Sequence, residues 1–168
     1  MKTEKIKIHL LVDGQLQVYE VVKTISRYED EFELAIFTLS LNIEGVEYLS
    51  NRNRDNMEFA VIDLQRQLPP TVQIICCQSC KYGNFCPYGD MENEIFCLFG
   101  FTPQNKMDVV DIFHSRNYMG PIDNMVARRW FPVNEMLHYC DKYDKIDDDN
   151  YYTYNDWEYW FRDKKQQG

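Results

Sequence analysis

The sequence predicts an α+β fold: a mainly antiparallel sheet, one well-defined helix and a cysteine-rich zinc knuckle. Three observations predict it. Residues 5–49 repeat short runs in which apolar and polar side chains alternate, separated by turn residues such as Asp13-Gly14, the pattern of strands with one buried face. Residues 55–68 change to a helical period. Five of the six cysteines then fall between positions 76 and 97, with Cys140 far downstream.

Lys5 to Val12 alternates at first and reads as a strand. Asp13-Gly14 suits a tight turn, so Gln15 to Ile25 is the second arm of a hairpin. Phe32 to Leu41 is a third strand, and Gly45 to Leu49 a short fourth strand or a bent extension. Met57, Ala60, Val61, Leu64 and Leu68 recur on one face of a helix. Asp55 is placed to cap it, with Glu58 in the reciprocal position of a capping box. Pro69-Pro70 ends it, because proline removes an amide donor and restricts the residue before it. Thr71 to Cys77 is apolar and β-branched, a buried strand. Tyr82 to Asn93 is a loop rich in Gly, Asn and Asp, and Glu94 to Phe101 returns as a strand. Asp108 to Phe113 suggests a short helix, and Val126 to Tyr139 reads as mostly extended, with Pro132 forcing an edge or a break.

At 168 residues the default is one domain. Within 1–168 the expected parts are N-terminal strands (1–50), the helix (55–68), strands carrying the cysteine site (71–140) and an acidic, aromatic C-terminal segment (141–168). That segment holds Asp147-Asp148-Asp149 followed by a crowd of aromatics. A helix from about Thr153 would align Trp157, Trp160 and Phe161. This stripe either docks on the protein's own core or, together with Tyr154, forms a partner-binding surface, since Trp and Tyr serve as interface anchors.

The formal net charge of −9 disfavours nucleic acid as a partner, because phosphate contacts need Lys and Arg. It favours attraction to a basic protein. No apolar run approaches the ~20 residues of a membrane span, and no signal-peptide core follows Met1 to Lys5. A cytoplasmic location is expected, where clustered cysteines read as metal or redox groups before disulfides.

Zinc is held by four Cys or His side chains in a tetrahedron. Cys77 and Cys80 form a Cys-x-x-Cys turn at the end of a buried strand, and Cys97 is the natural third ligand. For the fourth, Cys86 is local but precedes Pro87, whereas Cys140 would pin the later chain to the sheet. Cys76 would point away from its neighbour on a strand and reads as a small core residue. All-cysteine ligation suits a structural zinc; an iron–sulfur cluster also uses four thiolates. Reduced, buried cysteines without metal are the plainer alternative. A thioredoxin-like site would need the pair at a helix N-terminus, and Lys81-Tyr82-Gly83-Asn84 does not read as helix.

Cys77-Gln78-Ser79-Cys80-Lys81-Tyr82, Pro87-Tyr88-Gly89, Phe96-Cys97-Leu98-Phe99 and Tyr139-Cys140 together resemble an uncharacterised bacterial family with a Cys-x-x-Cys, a Ser-Pro-Tyr-Gly loop, a Cys before an aromatic and a late Cys after one. The resemblance covers about residues 55 to 145, including the helix end Leu64-Gln65-Arg66-Gln67-Leu68-Pro69. It implies Cys77, Cys80, Cys97 and Cys140 as the ligand set, because the family's loop has Ser where this chain has Cys86. The chain departs from the family after Cys140. The family implies no activity.

Other constellations carry less. Gly83 and Gly89 lack the Lys and helix of a phosphate loop. Cys86 or Cys140 with His114 or His138 lacks an activating signature. The Asp147 run lacks the spacing of a calcium loop, and Arg128-Arg129-Trp130 is a small basic–aromatic patch in an acidic chain. His9 falls on a strand's polar face. The expected function is therefore non-catalytic: an acidic protein-binding protein with a structural zinc site of four cysteines, for instance an immunity-type protein that neutralises a basic toxin. The alternative is a cysteine- or metal-dependent enzyme, redox or hydrolytic.

Overall fold

The computed structural model describes residues 1–27, 35–50, 56–87, 94–115 and 133–146, together with Tyr154, Asn155, Trp157 and Phe161. The chain packs as two compact units, Met1–Ile75 and Cys76–Gly168. Both are built on antiparallel sheets, so the architecture is α+β and mostly sheet.

The first unit is a five-stranded sheet. Strands β1 (Lys2–Val12), β2 (Gln15–Arg27), β3 (Ala35–Ile43) and β4 (Val46–Leu49) follow one another as a meander, and β5 (Val72–Ile75) returns to the free edge of β1, giving the order β4-β3-β2-β1-β5. Two tight turns set the register. Asp13 and Gly14 take φ of 47° and 81°, and Glu44 and Gly45 take 52° and 87°. Positive φ at both central residues gives the turn twist that matches paired strands. Val12 therefore faces Gln15, and Ile43 faces Val46. The short fourth strand expected from Gly45 is β4, and the Glu44-Gly45 turn before it is a hairpin signal not read from the sequence.

Directly paired residues share a sheet face. Ile6, Val21 and Leu41 form one such row, and Leu10 pairs with Ile74. Ile8, Leu10, Val21, Leu39, Leu41 and Ile74 are all buried. Helix α1 (Met57–Gln67) lies against β3 and β4 and buries Met57, Ala60, Val61, Ile62 and Leu64. Its cap is Asn56, not the expected Asp55, which lies outside the described residues; the Asn56 Oδ1 accepts the Glu58 amide at 2.8 Å. Gln65 on the same helix completes the β5 edge. Its Nε2 donates to the Val72 carbonyl (2.9 Å) and its Oε1 accepts the Ile74 amide (2.6 Å), as a neighbouring strand would. His9 sits half-buried on the opposite face, opposite Val18.

The second unit holds a small sheet in the order β6-β7-β8, with β6 (Gly83–Asn84), β7 (Glu94–Cys97) and β8 (Val133–Glu135). The strand expected to run on to Phe101 ends at Cys97. Gly100 (φ 92°) allows a turn there, closed by the Phe101 amide on the Leu98 carbonyl at 3.0 Å. The short helix expected at Asp108 is ten residues long, α2 (Lys106–Ser115), so the chain has two helices among the described residues where one was expected to be well defined. Asn105 Oδ1 accepts the Asp108 amide (3.0 Å), and an Asp108 carboxylate oxygen accepts the Gln104 amide (2.6 Å). Val109 and Phe113 on this helix join Cys86, Phe96 and Leu98 in an apolar core. The Phe96 and Phe113 rings meet edge to face at 5.4 Å.

Candidate metal centre

β5 stops at Ile75, and the chain turns at once. Cys77–Ser79 form a single 3₁₀ turn, which the expected strand to Cys77 does not include. The local cause is side-chain competition for the backbone. Ser79 Oγ accepts the Cys76 amide (3.1 Å), and the Ser79 amide donates to the Cys76 carbonyl (3.1 Å); serine offers the chain this alternative to a strand ladder. A second turn follows without a break. The Cys80 amide bonds the Cys77 carbonyl (3.3 Å), and the Gly83 amide bonds the Cys80 carbonyl (3.0 Å). The Gly83 backbone lies so close to the Cys77 carbonyl that no side chain fits between them.

Three other segments close around these turns. Gly83 pairs with Cys97, and the Leu98 amide bonds the Tyr82 carbonyl at 2.8 Å, which sets Cys97 beside the turns. The Cys77 amide donates to the His138 carbonyl (2.7 Å) and the Gln78 amide to the Met136 carbonyl (3.2 Å). Lys81 donates its amide to the Asp144 carbonyl (2.9 Å), and Cys80 bridges to Lys145. The chain between His138 and Tyr143 must therefore bend over the turns, and Cys140 is on that bend. The Tyr143 amide closes it on the Cys140 carbonyl at 3.1 Å. Lys81 and Asp144 also pair through their side chains.

The electrostatics of the thiols follow from this packing. Burial pushes the Cys77 thiol well above its ordinary range, and repulsion from Cys76, Cys80, Cys140 and Cys97 pushes it further. Cys80 is raised by burial as well, with Cys97 and Cys140 adding to the shift. Two backbone N–H groups, from Asp144 and Tyr82, point at the Cys80 sulfur and oppose that rise, since donors stabilise a thiolate. Cys77 thus lies within reach of Cys76, Cys80, Cys97 and Cys140, and Cys80 within reach of Cys97 and Cys140. Cys86 is not among them; it is buried with Phe96, Leu98, Val109 and Phe113. Cys76 is buried too, and burial pushes its thiol up to about 11. All six cysteines are free thiols.

Four thiols are thus drawn from a turn, a strand and a distant bend, the residue type that a zinc site of four cysteines would need. Among the described residues, which include all six cysteines, no three His, Cys, Asp or Glu side chains are placed so that they could hold a metal ion. The gathering of the cysteines is what the structure provides, and a closed coordination shell is not part of it.

The aromatic segment is brought to the same unit. Trp157 is buried and Tyr154 half-buried against the apolar core. Phe161 packs on Trp157 with ring centroids 5.0 Å apart. For Tyr154 and Trp157 the arrangement is docking on the protein's own core. Trp160 lies outside the described residues, as do Asp147 to Asp149 and Arg128 to Trp130. Sequence reasoning passed over Asn155, whose amide bonds the Gln78 carbonyl (2.8 Å) and the Gly83 carbonyl (3.1 Å). No short-range pattern signals it, because its acceptors lie more than 70 residues away.

The fold and site define an α+β protein whose second unit is organised around gathered cysteines. No protein-family model matches the chain, and no curated protein matches it. No helix among the described residues is long and apolar enough to cross a membrane.

Proposed function

We infer that Cys77, Cys80, Cys97 and Cys140 hold a structural zinc ion, and that the chain acts as a non-catalytic, acidic protein-binding protein. One observation supports the metal reading: backbone pairing brings Cys97 and the Cys140 bend beside the turn that carries Cys77 and Cys80, while Cys86 is buried in apolar core. Thiolates gathered in one place are unfavourable neighbours until a cation compensates them, and zinc supplies that charge at a four-sulfur site. The two N–H groups directed at the Cys80 sulfur fit a ligand thiolate. The bacterial family resembled by the cysteine pattern fits the same set. For the partner, a net charge of −9 favours a basic protein, such as a toxin neutralised by an immunity-type protein, through faster electrostatic encounter.

Elemental analysis of the purified full chain tests the metal reading. One zinc per chain, lost on Cys140→Ser and kept on Cys86→Ala, is the expected result; a metal-free chain with reactive thiols overturns it and favours a redox enzyme.

A further inference from the structure

We propose that Cys77 and Cys80 form a reversible disulfide, which makes the turn after β5 a thiol–disulfide site whose oxidant is a small disulfide such as oxidised glutathione. The pairing uses two sulfurs and no metal, so it stands apart from the zinc reading. Cys77 opens a single 3₁₀ turn, Cys77–Ser79, and Cys80 closes it through its amide bond to the Cys77 carbonyl at 3.3 Å. Side chains three residues apart eclipse in a 3₁₀ turn, and a rise of about 2 Å per residue sets their Cα atoms about 6 Å apart. Disulfides span Cα separations of roughly 4.4 to 6.8 Å. The backbone therefore already holds this pair at bonding separation, and both are free thiols.

The same turn sets the neighbouring cysteines aside. Cys76 precedes it in extended backbone (φ −155°), with its sulfur against Ser79 Oγ at 3.8 Å. Cys86 is buried among Phe96, Leu98, Val109 and Phe113. The turn is braced from both sides: Ser79 Oγ accepts the Cys76 amide at 3.1 Å, and the Cys77 and Gln78 amides bond the His138 and Met136 carbonyls at 2.7 and 3.2 Å. Closing so short a loop gains little from chain entropy, so the stability of the bond reports on the folded turn. In the reaction one thiol sulfur attacks the small disulfide and breaks its S–S bond, and one half leaves as a thiol with the displaced proton. The second thiol attacks the mixed disulfide and releases the other half in the same way. Two electrons and two protons pass from the chain to the oxidant. Burial of both sulfurs slows entry of the oxidant and shields the finished bond from reductant.

The test uses the full chain, treated with a chelator and equilibrated against mixtures of reduced and oxidised glutathione. Remaining thiols are alkylated in denaturant, and tryptic peptides are sequenced by mass spectrometry. The expected product is the peptide of residues 67–81 with the alkyl group on Cys76 alone and Cys77 joined to Cys80. The equilibrium constant for closing the bond is expected to be roughly tenfold larger in buffer than in urea, because the folded turn aligns the sulfurs. Cys76→Ser and Cys86→Ser keep the bond, and Cys80→Ser leaves Cys77 reduced or bound to glutathione. Cys77 and Cys80 that both remain alkylated at equilibrium overturn the proposal. A bond from either to Cys97 or Cys140 overturns it as well, as does an equal constant in buffer and in urea. A chain that carries zinc as purified and closes the bond only once stripped supports the pairing and leaves the metal reading standing.

Discussion

The Gly83 backbone runs so close to the Cys77 carbonyl that a Cβ on Gly83 would overlap that oxygen and would also come within 3.1 Å of Ile95 Cγ2. Glycine is needed here for close approach rather than for an unusual dihedral angle, because Gly83 is not among the residues with positive φ. Its absent side chain lets two successive turns stack and brings β6 to the strand that carries Cys97.

Gly83→Ala is therefore expected to destabilise the Cys76–Gly168 unit by about 3 kcal/mol or more, since rigid backbone cannot give way as a side-chain tip can. Gly14→Ala is the control. Open space surrounds Gly14, so only the strain of φ 81° remains, at a cost of about 1 kcal/mol. Denaturant unfolding of both variants, with probes in each unit, gives the comparison. Equal losses would contradict the steric argument.

The cysteines are expected to divide by role. On the proposed zinc reading, Cys77→Ser, Cys80→Ser and Cys97→Ser would each abolish stoichiometric zinc binding. Cys86→Ala leaves zinc at one per chain and costs about 1 kcal/mol, because it opens a small cavity beside Phe96 and Phe113. Zinc content together with thermal unfolding reads out both effects. Loss of zinc on Cys86→Ala would move the ligand assignment.

Chelation is expected to act on one unit before the other. The Met1–Ile75 sheet has its own buried core, with Ile8, Leu10, Leu39, Leu41 and Leu64 all fully buried. Stripping zinc should therefore speed amide exchange in β6 and β7 by tenfold or more, about 1.4 kcal/mol of local stability. Exchange in β1 to β3 should be unaffected. Uniform acceleration across both units would show that the metal does not act locally.

Gln65→Ala tests the covered edge of the first sheet. It removes the donor to Val72 and the acceptor for Ile74, leaving two edge groups on β5 to find water. The expected cost is about 1–3 kcal/mol. Gln65→Glu keeps the acceptor for the Ile74 amide but has no hydrogen for the Val72 carbonyl, so it should lie between wild type and Gln65→Ala at neutral pH. Urea midpoints of the three proteins decide it.

Much of the first unit was legible in the sequence because its determinants are local. Period-two alternation placed β1 to β3, Asp13-Gly14 set the first register, and the Met57 to Leu68 spacing with Pro69-Pro70 bounded α1. The helix cap fell one residue from the expected position, because Asp55 and Asn56 are adjacent residues of similar capping capacity and only φ and ψ choose between them. The Glu44-Gly45 turn was missed, although it follows the same positive-φ rule as Asp13-Gly14.

The cysteine site divides along the same line. By itself the sequence determined which atoms are available: a Cys-x-x-Cys turn, a cysteine on a returning strand and a distant fourth. It could not show that the Cys140 bend lies over the Cys77–Cys80 turn, which rests on the amide bonds of Cys77, Gln78 and Lys81 to residues 136–144. Nor could it show that Trp157 is buried, or that Asn155 spans the Gln78 and Gly83 carbonyls. Periodicity and turn chemistry act over a few residues and can be read from them. Which segments meet across more than 40 residues depends on loop closure and on the packing of the rest of the chain, and only the tertiary structure decided it.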